Sequence, residues 1–262
     1  MNNVEPIKTA QYEQLPVAIY RSNEEMGQAA ALDARQIIKL AIADKGEANI
    51  ILATGNSQLT FLQTLRELEG IDWATASSGV NVFHMDEYVG IDPNHRASFP
   101  LFLRQHFISF VNPKSFHPLP SQPEDVDRAC RDYEALLREY PADMVALGWG
   151  ENGHLAFNDP PYADFDDPMW VKVVELAEAS RRQQVGEGHF DSLDEVPTHA
   201  ITLTIPALLA AKAVLCIVPE ARKAEAARAC LTEPISEDRP GSILRQVDHA
   251  RLYLDQDSAS KL

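Results

Sequence analysis

The chain has 262 residues, of which 45% are hydrophobic and 24% charged, a composition typical of globular proteins that excludes a collagenous, fibrous or disordered chain. Acidic residues outnumber basic ones by 39 to 23, and the net charge of -16 provides no positive surface for a phosphate backbone, so we expect no nucleic-acid partner. The chain has no run of about 18 apolar residues, no secretory signal pattern and three widely spaced cysteines, so we expect a cytoplasmic protein that does not bind membranes.

Strands and helices are predicted to alternate along the first half of the chain. Residues 1–16 are polar and contain two prolines, so we expect an arm before a first strand at 17–20. Ser22-Asn23-Glu24-Glu25 has the spacing of a capping box and begins a helical pattern that ends near Gly46. Apolar runs and amphipathic patterns then predict strands at 50–53, 80–83 and 144–147, and helices at 59–68, 98–110 and 124–140.

The second half of the chain continues this alternation without a long linker, a low-complexity run or a repeat. We therefore expect one α/β domain over 1–262, with a mainly parallel sheet covered by helices on both faces. The predicted elements are strands at 171–174, 200–203, 214–218 and 251–254 and a helix at 221–231. Because ligands bind beyond the carboxyl ends of such strands, one crevice should collect the loops after Ala53, Phe83, Leu147 and Val218.

The first polar segment at a predicted strand end is Thr54-Gly55-Asn56-Ser57. Gly55 allows unusual backbone angles, and the hydroxyls of Thr54 and Ser57 lie beside the free amides of a helix N-terminus, which suits phosphate. The alternative is a plain turn in which Ser57 caps the following helix. The segment by itself leaves both interpretations open.

A second segment, His84-Met85-Asp86-Glu87-Tyr88-Val89-Gly90, directly follows the predicted strand at 80–83. Adjacent carboxylates at the end of a strand suit a pocket better than a core, and such a carboxylate can accept a proton from a substrate. The alternative is a solvated loop in which Asp86 or Glu87 caps a neighbouring element.

The most informative segment runs from Gly148 to Pro160 and has three glycines within its first six residues. It places His154 among Glu151, Asn152 and Asp159, which are able to fix the tautomer and orientation of the imidazole. The alternative is a glycine-rich turn with a structural histidine. The eight histidines of the chain match no chelating pattern, so we expect no metal site.

Together, the three segments resemble the glucosamine-6-phosphate deaminase (isomerase) family, whose superfamily includes 6-phosphogluconolactonases. Thr54-Gly55-Asn56-Ser57 is similar to the family's phosphate turn, and Met85-Asp86-Glu87-Tyr88-Val89-Gly90 to its catalytic loop. Gly153-His154-Leu155-Ala156-Phe157-Asn158-Asp159-Pro160 resembles its ring-opening loop, whereas lactonases typically follow the Gly-His pair with a Thr-Ala-Ser-like sequence. The resemblance covers most of the chain and implies a single Rossmann-like domain.

The resemblance implies that an amino-sugar phosphate such as glucosamine 6-phosphate is converted with water to fructose 6-phosphate and ammonia, without a metal or an organic cofactor. His154 would open the sugar ring, with Asp159 and Asn152 beside it. Asp86 would carry the proton from C2 to C1, and Glu87 is the second candidate for that role. The substrate phosphate would be bound by Thr54, Gly55, Asn56, Ser57 and Lys223.

The sequence also departs from the family pattern. An aspartate is common where Asn152 stands and a glutamate where Asp159 stands, so Glu151 is an alternative partner for the histidine. A basic phosphate ligand is expected just before Phe190, where residues 186–189 contain no arginine or lysine. We expect Arg182, or Arg181, to replace it.

Two other functions remain open from the sequence. A 6-phosphogluconolactonase would use the same phosphate site, with the histidine as the base for water. A catalytically silent sugar-phosphate sensor would share the fold, but the residues before the first predicted strand and after the last are too few for a helix-turn-helix motif. A homo-oligomer and either stereochemistry of the amino sugar, gluco or galacto, are compatible with the sequence.

Overall fold

The computed structural model describes residues 4–186 and 188–262, so residues 1–3 of the predicted arm and Glu187 lie outside the described residues. The described part of the chain contains eleven strands, namely β1 (Lys8–Tyr12), β2 (Leu15–Tyr20), β3 (Glu47–Leu52), β4 (Gly79–His84), β5 (Asp86–Tyr88), β6 (Ser115–His117), β7 (Met144–Leu147), β8 (Val171–Glu175), β9 (His199–Leu203), β10 (Val214–Val218) and β11 (Ala250–Asp255). Its α-helices are α1 (Asn23–Lys45), α2 (Leu59–Glu67), α3 (Phe99–Leu103), α4 (Ser109–Val111), α5 (Val126–Glu139), α6 (Glu178–Gly186), α7 (Ile205–Leu209) and α8 (Ala224–Thr232).

The main sheet has eight strands in the order β1-β2-β11-β10-β7-β3-β4-β6. All its neighbours pair in parallel except β1 and β2, which form an antiparallel hairpin at one edge. The prediction of an α/β fold with a mainly parallel sheet is therefore confirmed. The expectation for 1–16 is corrected, because β1 lies within that segment and pairs with the first predicted strand.

A second, three-stranded antiparallel sheet contains β5, β9 and β8 in that order. The strands predicted at 171–174 and 200–203 belong to this sheet rather than to the parallel alternation. Asp86 and Glu87, which we expected in a loop, lie in β5 opposite Thr202 and Ile201. The local sequence of this short strand does not indicate it, because its partner comes from a distant part of the chain.

Alternate side chains of the main sheet face two separate hydrophobic cores. On one face, Ile50 and Leu52 of β3 pack in a cluster that includes residues of α1 and α2. On the other face, Ile51 packs in a cluster with residues of α5 and α8. Strands that are buried on both faces read as continuous apolar runs, which is why the central strands were predictable.

Helix α1 begins and ends where the sequence predicts. The Ser22 hydroxyl accepts a hydrogen bond from the Glu25 amide at 3.3 Å, and Gly46 ends the helix in the left-handed region at φ 82°. Across residues 4–186 and 188–262, no helix is both long and apolar enough to cross a membrane.

Candidate active site

A cleft opens where the carboxyl ends of β3, β4, β7 and β10 meet, as the positions of the predicted loops indicate. It encloses about 840 Å³, its opening to solvent included. The residues that line it include, from each loop in turn, Thr54 to Ser57, Asp86, His154 and Lys223.

The turn after β3 lines this cleft with Thr54, Gly55, Asn56 and Ser57. Gly55 has a φ of 97°, a conformation that favours glycine, and Asn56–Gln58 forms a single 3-10 turn before α2. Ser57 makes no capping hydrogen bond to α2; its hydroxyl oxygen accepts one from the Gln58 side chain at 3.4 Å. The plain-cap interpretation of Ser57 is therefore wrong, and its hydroxyl proton can still be donated to a ligand.

Lys223 reaches the same cleft from the loop after β10. It ends the 3-10 turn Ala221–Lys223 that leads into α8, and it is 3% exposed. An ammonium on the wall of a cleft can bind an anionic group of a ligand through charge-assisted hydrogen bonds.

Asp86 is a buried carboxylate on the cleft wall. Its side chain accepts no hydrogen bond within the described parts of the chain, although it lines the cleft. Burial, reinforced by the neighbouring charge of Glu87, raises the pKa of Asp86 to about 8. A carboxylate with few hydrogen-bond donors and a raised pKa is suited to accept a proton from carbon.

Glu87 is fully buried and does not line the cleft. One carboxylate oxygen accepts a hydrogen bond from the Ser98 hydroxyl at 2.8 Å, and the other accepts one from the Tyr88 amide at 2.8 Å. Burial raises the pKa of Glu87 to about 7, although these donors oppose the shift. Since neighbouring side chains of a strand point to opposite faces, Asp86 and Glu87 have different surroundings.

His154, which lines the same cleft as Asp86, forms a hydrogen-bonded pair with Asp159. Nδ1 of His154 lies 2.9 Å from Oδ1 of Asp159, and the Asn152 amide donates to the same oxygen at 2.7 Å. The Ser180 hydroxyl donates to Oδ2 at 2.8 Å. Burial alone would raise the pKa of Asp159, but the charge of His154 and these hydrogen bonds outweigh it and hold the pKa below its usual value.

The loop that carries this pair leaves little room around the imidazole. A Cβ atom added at Gly150 would lie 2.2 Å from Cε1 of His154, so a side chain at this position would displace the imidazole. Asn158 anchors the loop to β9 by donating to the Leu203 carbonyl at 2.8 Å. It also donates to the Leu155 carbonyl, within the loop, at 2.7 Å. The histidine is thus held by its backbone as well as by its carboxylate partner.

Glu151 does not replace Asp159 as the partner of the histidine. One of its carboxylate oxygens lies 3.7 Å from a guanidinium nitrogen of Arg222, which itself contacts Glu220 at 2.6 Å. Of the two carboxylates flanking His154 in sequence, Asp159 is therefore the one that contacts the ring.

The expectation for Arg182 is corrected by its surroundings. Arg182 does not line the cleft; it pairs with Glu178 one turn away on the exposed side of α6. Arg181 donates to the carbonyls of Leu193 and Val196, at 2.6 and 3.0 Å. The basic residues that sequence reasoning missed in the cleft are Arg96, Arg222 and His189, and no spacing pattern in the sequence singles them out.

The described residues contain no group of three or more His, Cys, Asp or Glu side chains arranged to hold a metal ion. The three cysteines are buried and reduced. Burial raises the pKa of the Cys230 thiol to about 12 and so disfavours a thiolate there.

Comparison with known proteins gives consistent matches. The family described as glucosamine-6-phosphate isomerases/6-phosphogluconolactonase matches residues 21–253. A glucosamine-6-phosphate deaminase from Exiguobacterium sibiricum is 36% identical over 87% of this chain and 86% of its own length. A solved structure of a monomeric glucosamine-6-phosphate deaminase aligns with a TM-score of 0.84 and 29% identity, covering 94% of this chain and 99% of that one. The 6-phosphogluconolactonase of Trypanosoma brucei, at 17% identity and a TM-score of 0.77 over 97% of this chain and all of its own, shares the fold.

Proposed function

The chain belongs to the family of glucosamine-6-phosphate isomerases and 6-phosphogluconolactonases, and we propose that it is a glucosamine-6-phosphate deaminase. The observation that carries this proposal is a pair of buried carboxylates with opposite properties, of which Asp86 lines the cleft and Asp159 binds His154, a cleft residue. Asp159 is held ionised by its donors, whereas Asp86 is buried without them. Such a pair separates an orienting carboxylate from a proton-transferring one.

His154 is proposed to open the sugar ring. With Nδ1 bound to the ionised Asp159, its Nε2 is left for the sugar, where it can move a proton between the anomeric hydroxyl and the ring oxygen. Asn152 supports this arrangement through its hydrogen bond to Asp159. Ring opening produces the free aldehyde at C1 that the next step requires.

Asp86 is proposed to transfer the proton from C2 to C1. The ionised carboxylate takes the C2 proton, the electron pair moves to the aldehyde oxygen, this oxygen takes a proton from the C2 ammonium, and an enolamine forms. Asp86 then returns the proton to C1, and water hydrolyses the resulting imine to the ketone and ammonia. Glu87 does not line the cleft, so we propose that it does not contact the substrate and that its charge acts by raising the pKa of Asp86.

The substrate phosphate is proposed to bind at Thr54, Gly55, Asn56, Ser57 and Lys223. The turn residues and Lys223 all line the cleft, and the amides of the turn, the Ser57 hydroxyl and the Lys223 ammonium would be the donors to the phosphate. Binding energy from this remote group would position C1 and C2 against Asp86.

Assays with two substrates test the reaction directly. A deaminase releases ammonia from glucosamine 6-phosphate, whereas the related lactonase activity would hydrolyse 6-phosphogluconolactone. A sugar-phosphate sensor would bind the first compound without turnover. Ammonia release in proportion to fructose 6-phosphate formed supports the proposal, and lactone hydrolysis without ammonia release contradicts it.

We further propose that the protein acts in the cytoplasm on a phosphorylated amino sugar and needs no cofactor. Activity that survives exhaustive dialysis against a chelator would support the last point. A homo-oligomer stays a prediction, which light scattering on the purified protein can test.

A further inference from the structure

We propose that Arg96 is a second cationic ligand of the substrate phosphate, in place of the basic residue expected just before Phe190. This assignment rests on the proposed function, because it concerns the same sugar phosphate. A dianionic group entering a chain of net charge -16 needs a local cluster of cations, and Lys223 alone supplies one charge. The sequence supplies no arginine or lysine at residues 186–189.

The guanidinium of Arg96 lies against the segment from which the missing cation would have come. Its Nε donates to the His189 carbonyl at 3.1 Å, and its Nη2 pairs with the Asp191 carboxylate. Arg96 also lines the cleft that contains Ser57 and Lys223. Arg96, in the loop before α3, thus places a positive charge beside residues 186–189, where the sequence has no arginine or lysine.

The backbone on both sides of Arg96 is fixed by packing. The His95 ring stacks on Phe190, with the ring centroids 5.1 Å apart and the planes 19° from parallel. On the other side, the Ser98 hydroxyl donates to Glu87 at 2.8 Å. The backbone therefore holds the Arg96 side chain at a fixed place on the cleft wall.

Arg96 also has donors to spare. Nε and Nη2 make the two contacts described above, and Nη1 makes no hydrogen bond to any residue that the structure describes. Its carboxylate partner Asp191 has a side chain 81% exposed to solvent, where ion pairs contribute little. A guanidinium with this freedom can bind two phosphate oxygens at once.

The other arginines near this cleft are less suited to the role. Arg222 lies between the carboxylates of Glu220 and Glu151, at 2.6 and 3.7 Å, which offset its charge. Arg181 is bound to two backbone carbonyls, and Arg182 pairs with Glu178 and does not line the cleft.

The test compares Arg96→Ala with Lys223→Ala as the positive control and Arg128→Ala as the matched neutral control. Arg128 is likewise an exposed arginine with a single carboxylate partner, 3.5 Å away on α5, and it does not line the cleft. The measurements are the KM for glucosamine 6-phosphate from ammonia release and the Kd for inorganic phosphate from titration calorimetry. Arg96→Ala should raise both at least about tenfold, as expected when a charged hydrogen bond is lost, and Arg128→Ala should change neither more than about twofold.

Two further variants, His189→Ala and Arg182→Ala, test whether another basic residue contributes more to phosphate binding than Arg96 does. Arg96→Gln removes the charge while keeping most of the side-chain volume. The assignment is overturned if Arg96→Ala and Arg96→Gln leave both constants within about twofold of the parent protein. It is equally overturned if His189→Ala or Arg182→Ala weakens phosphate binding more than Arg96→Ala does. If the parent protein binds phosphate but releases no ammonia, and Arg96→Ala loses that binding, the deaminase proposal fails while Arg96 is supported as a phosphate ligand.

Discussion

Replacing Asp86 with asparagine should abolish turnover and, at alkaline pH, stabilise the fold. The substitution keeps the shape of the side chain and removes its ability to accept a proton, so we expect the rate to fall by roughly 100-fold or more. Substrate binding should be nearly intact, because the phosphate ligands are untouched. The stability effect has a different origin, namely the burial that raises the pKa of Asp86 to about 8 from an ordinary value of 3.8.

The sign of the stability effect follows from proton binding. Between these two pKa values the folded protein holds a proton on Asp86 that the unfolded chain has released, so stability falls as the pH rises from about 4 to about 8. At 1.36 kcal/mol per pKa unit, the loss between about pH 5 and about pH 9 amounts to about 4 kcal/mol. An asparagine does not titrate, so the free energy of unfolding of the variant does not contain this dependence on pH.

Urea unfolding of both proteins at the two pH values measures this difference. The gain in stability of Asp86→Asn over the parent protein should be greater at about pH 9 than at about pH 5, by up to about 4 kcal/mol. A difference that does not change with pH would refute the inference that Asp86 is protonated in the folded protein near neutral pH. Near-normal ammonia release by the variant would refute its role as the base.

Two further predictions concern the histidine and its surroundings. Gly150→Ala should displace the imidazole and lower turnover by about 100-fold. Gly186→Ala is the control and should leave turnover unchanged, because a Cβ added there meets nothing within 4 Å. Ammonia release by the two variants, measured in parallel, tests this prediction. Asp159→Asn should lower turnover at least about tenfold and much more than Asn152→Ala does, because Asp159 contacts the ring and Asn152 acts through Asp159. Equal rates for the last two variants, with folding checked by circular dichroism, would contradict that order.

Apolar runs made most strands of the main sheet predictable, and a capping serine made the start of the first helix predictable. Strand β7 and the helix that begins after Ser22 follow from local signals, a four-residue buried run and a capping serine. Strands β8 and β9 were predicted, but their separation into a second sheet with β5 was not, because β5 has three residues and its pairing with β9 joins segments far apart in the chain. Local patterns report neither long-range pairing nor a strand this short.

The site shows the same division between local and long-range information. The contact between His154 and Asp159 follows from five residues of one loop, so the sequence could indicate it. The basic residues of the cleft depend on packing between distant segments, and proximity in sequence pointed to Arg182 instead. Arg96 reaches the backbone of His189 through an arrangement that the sequence does not record.

The raised pKa of Asp86 also bears on how the substrate itself activates the base. Near neutral pH only about a tenth of a carboxylate with a pKa of about 8 is ionised in the free protein. The proposed substrate carries an amino group on C2, the carbon whose proton Asp86 would remove, and an ammonium at that distance favours the ionised carboxylate. Binding should therefore lower the pKa of Asp86 and increase the active fraction. In a pH series of ammonia release, the acidic limb of kcat, which reports the complex, should lie at lower pH than that of kcat/KM, which reports the free enzyme. Coincident limbs would mean that the substrate ammonium does not act on Asp86.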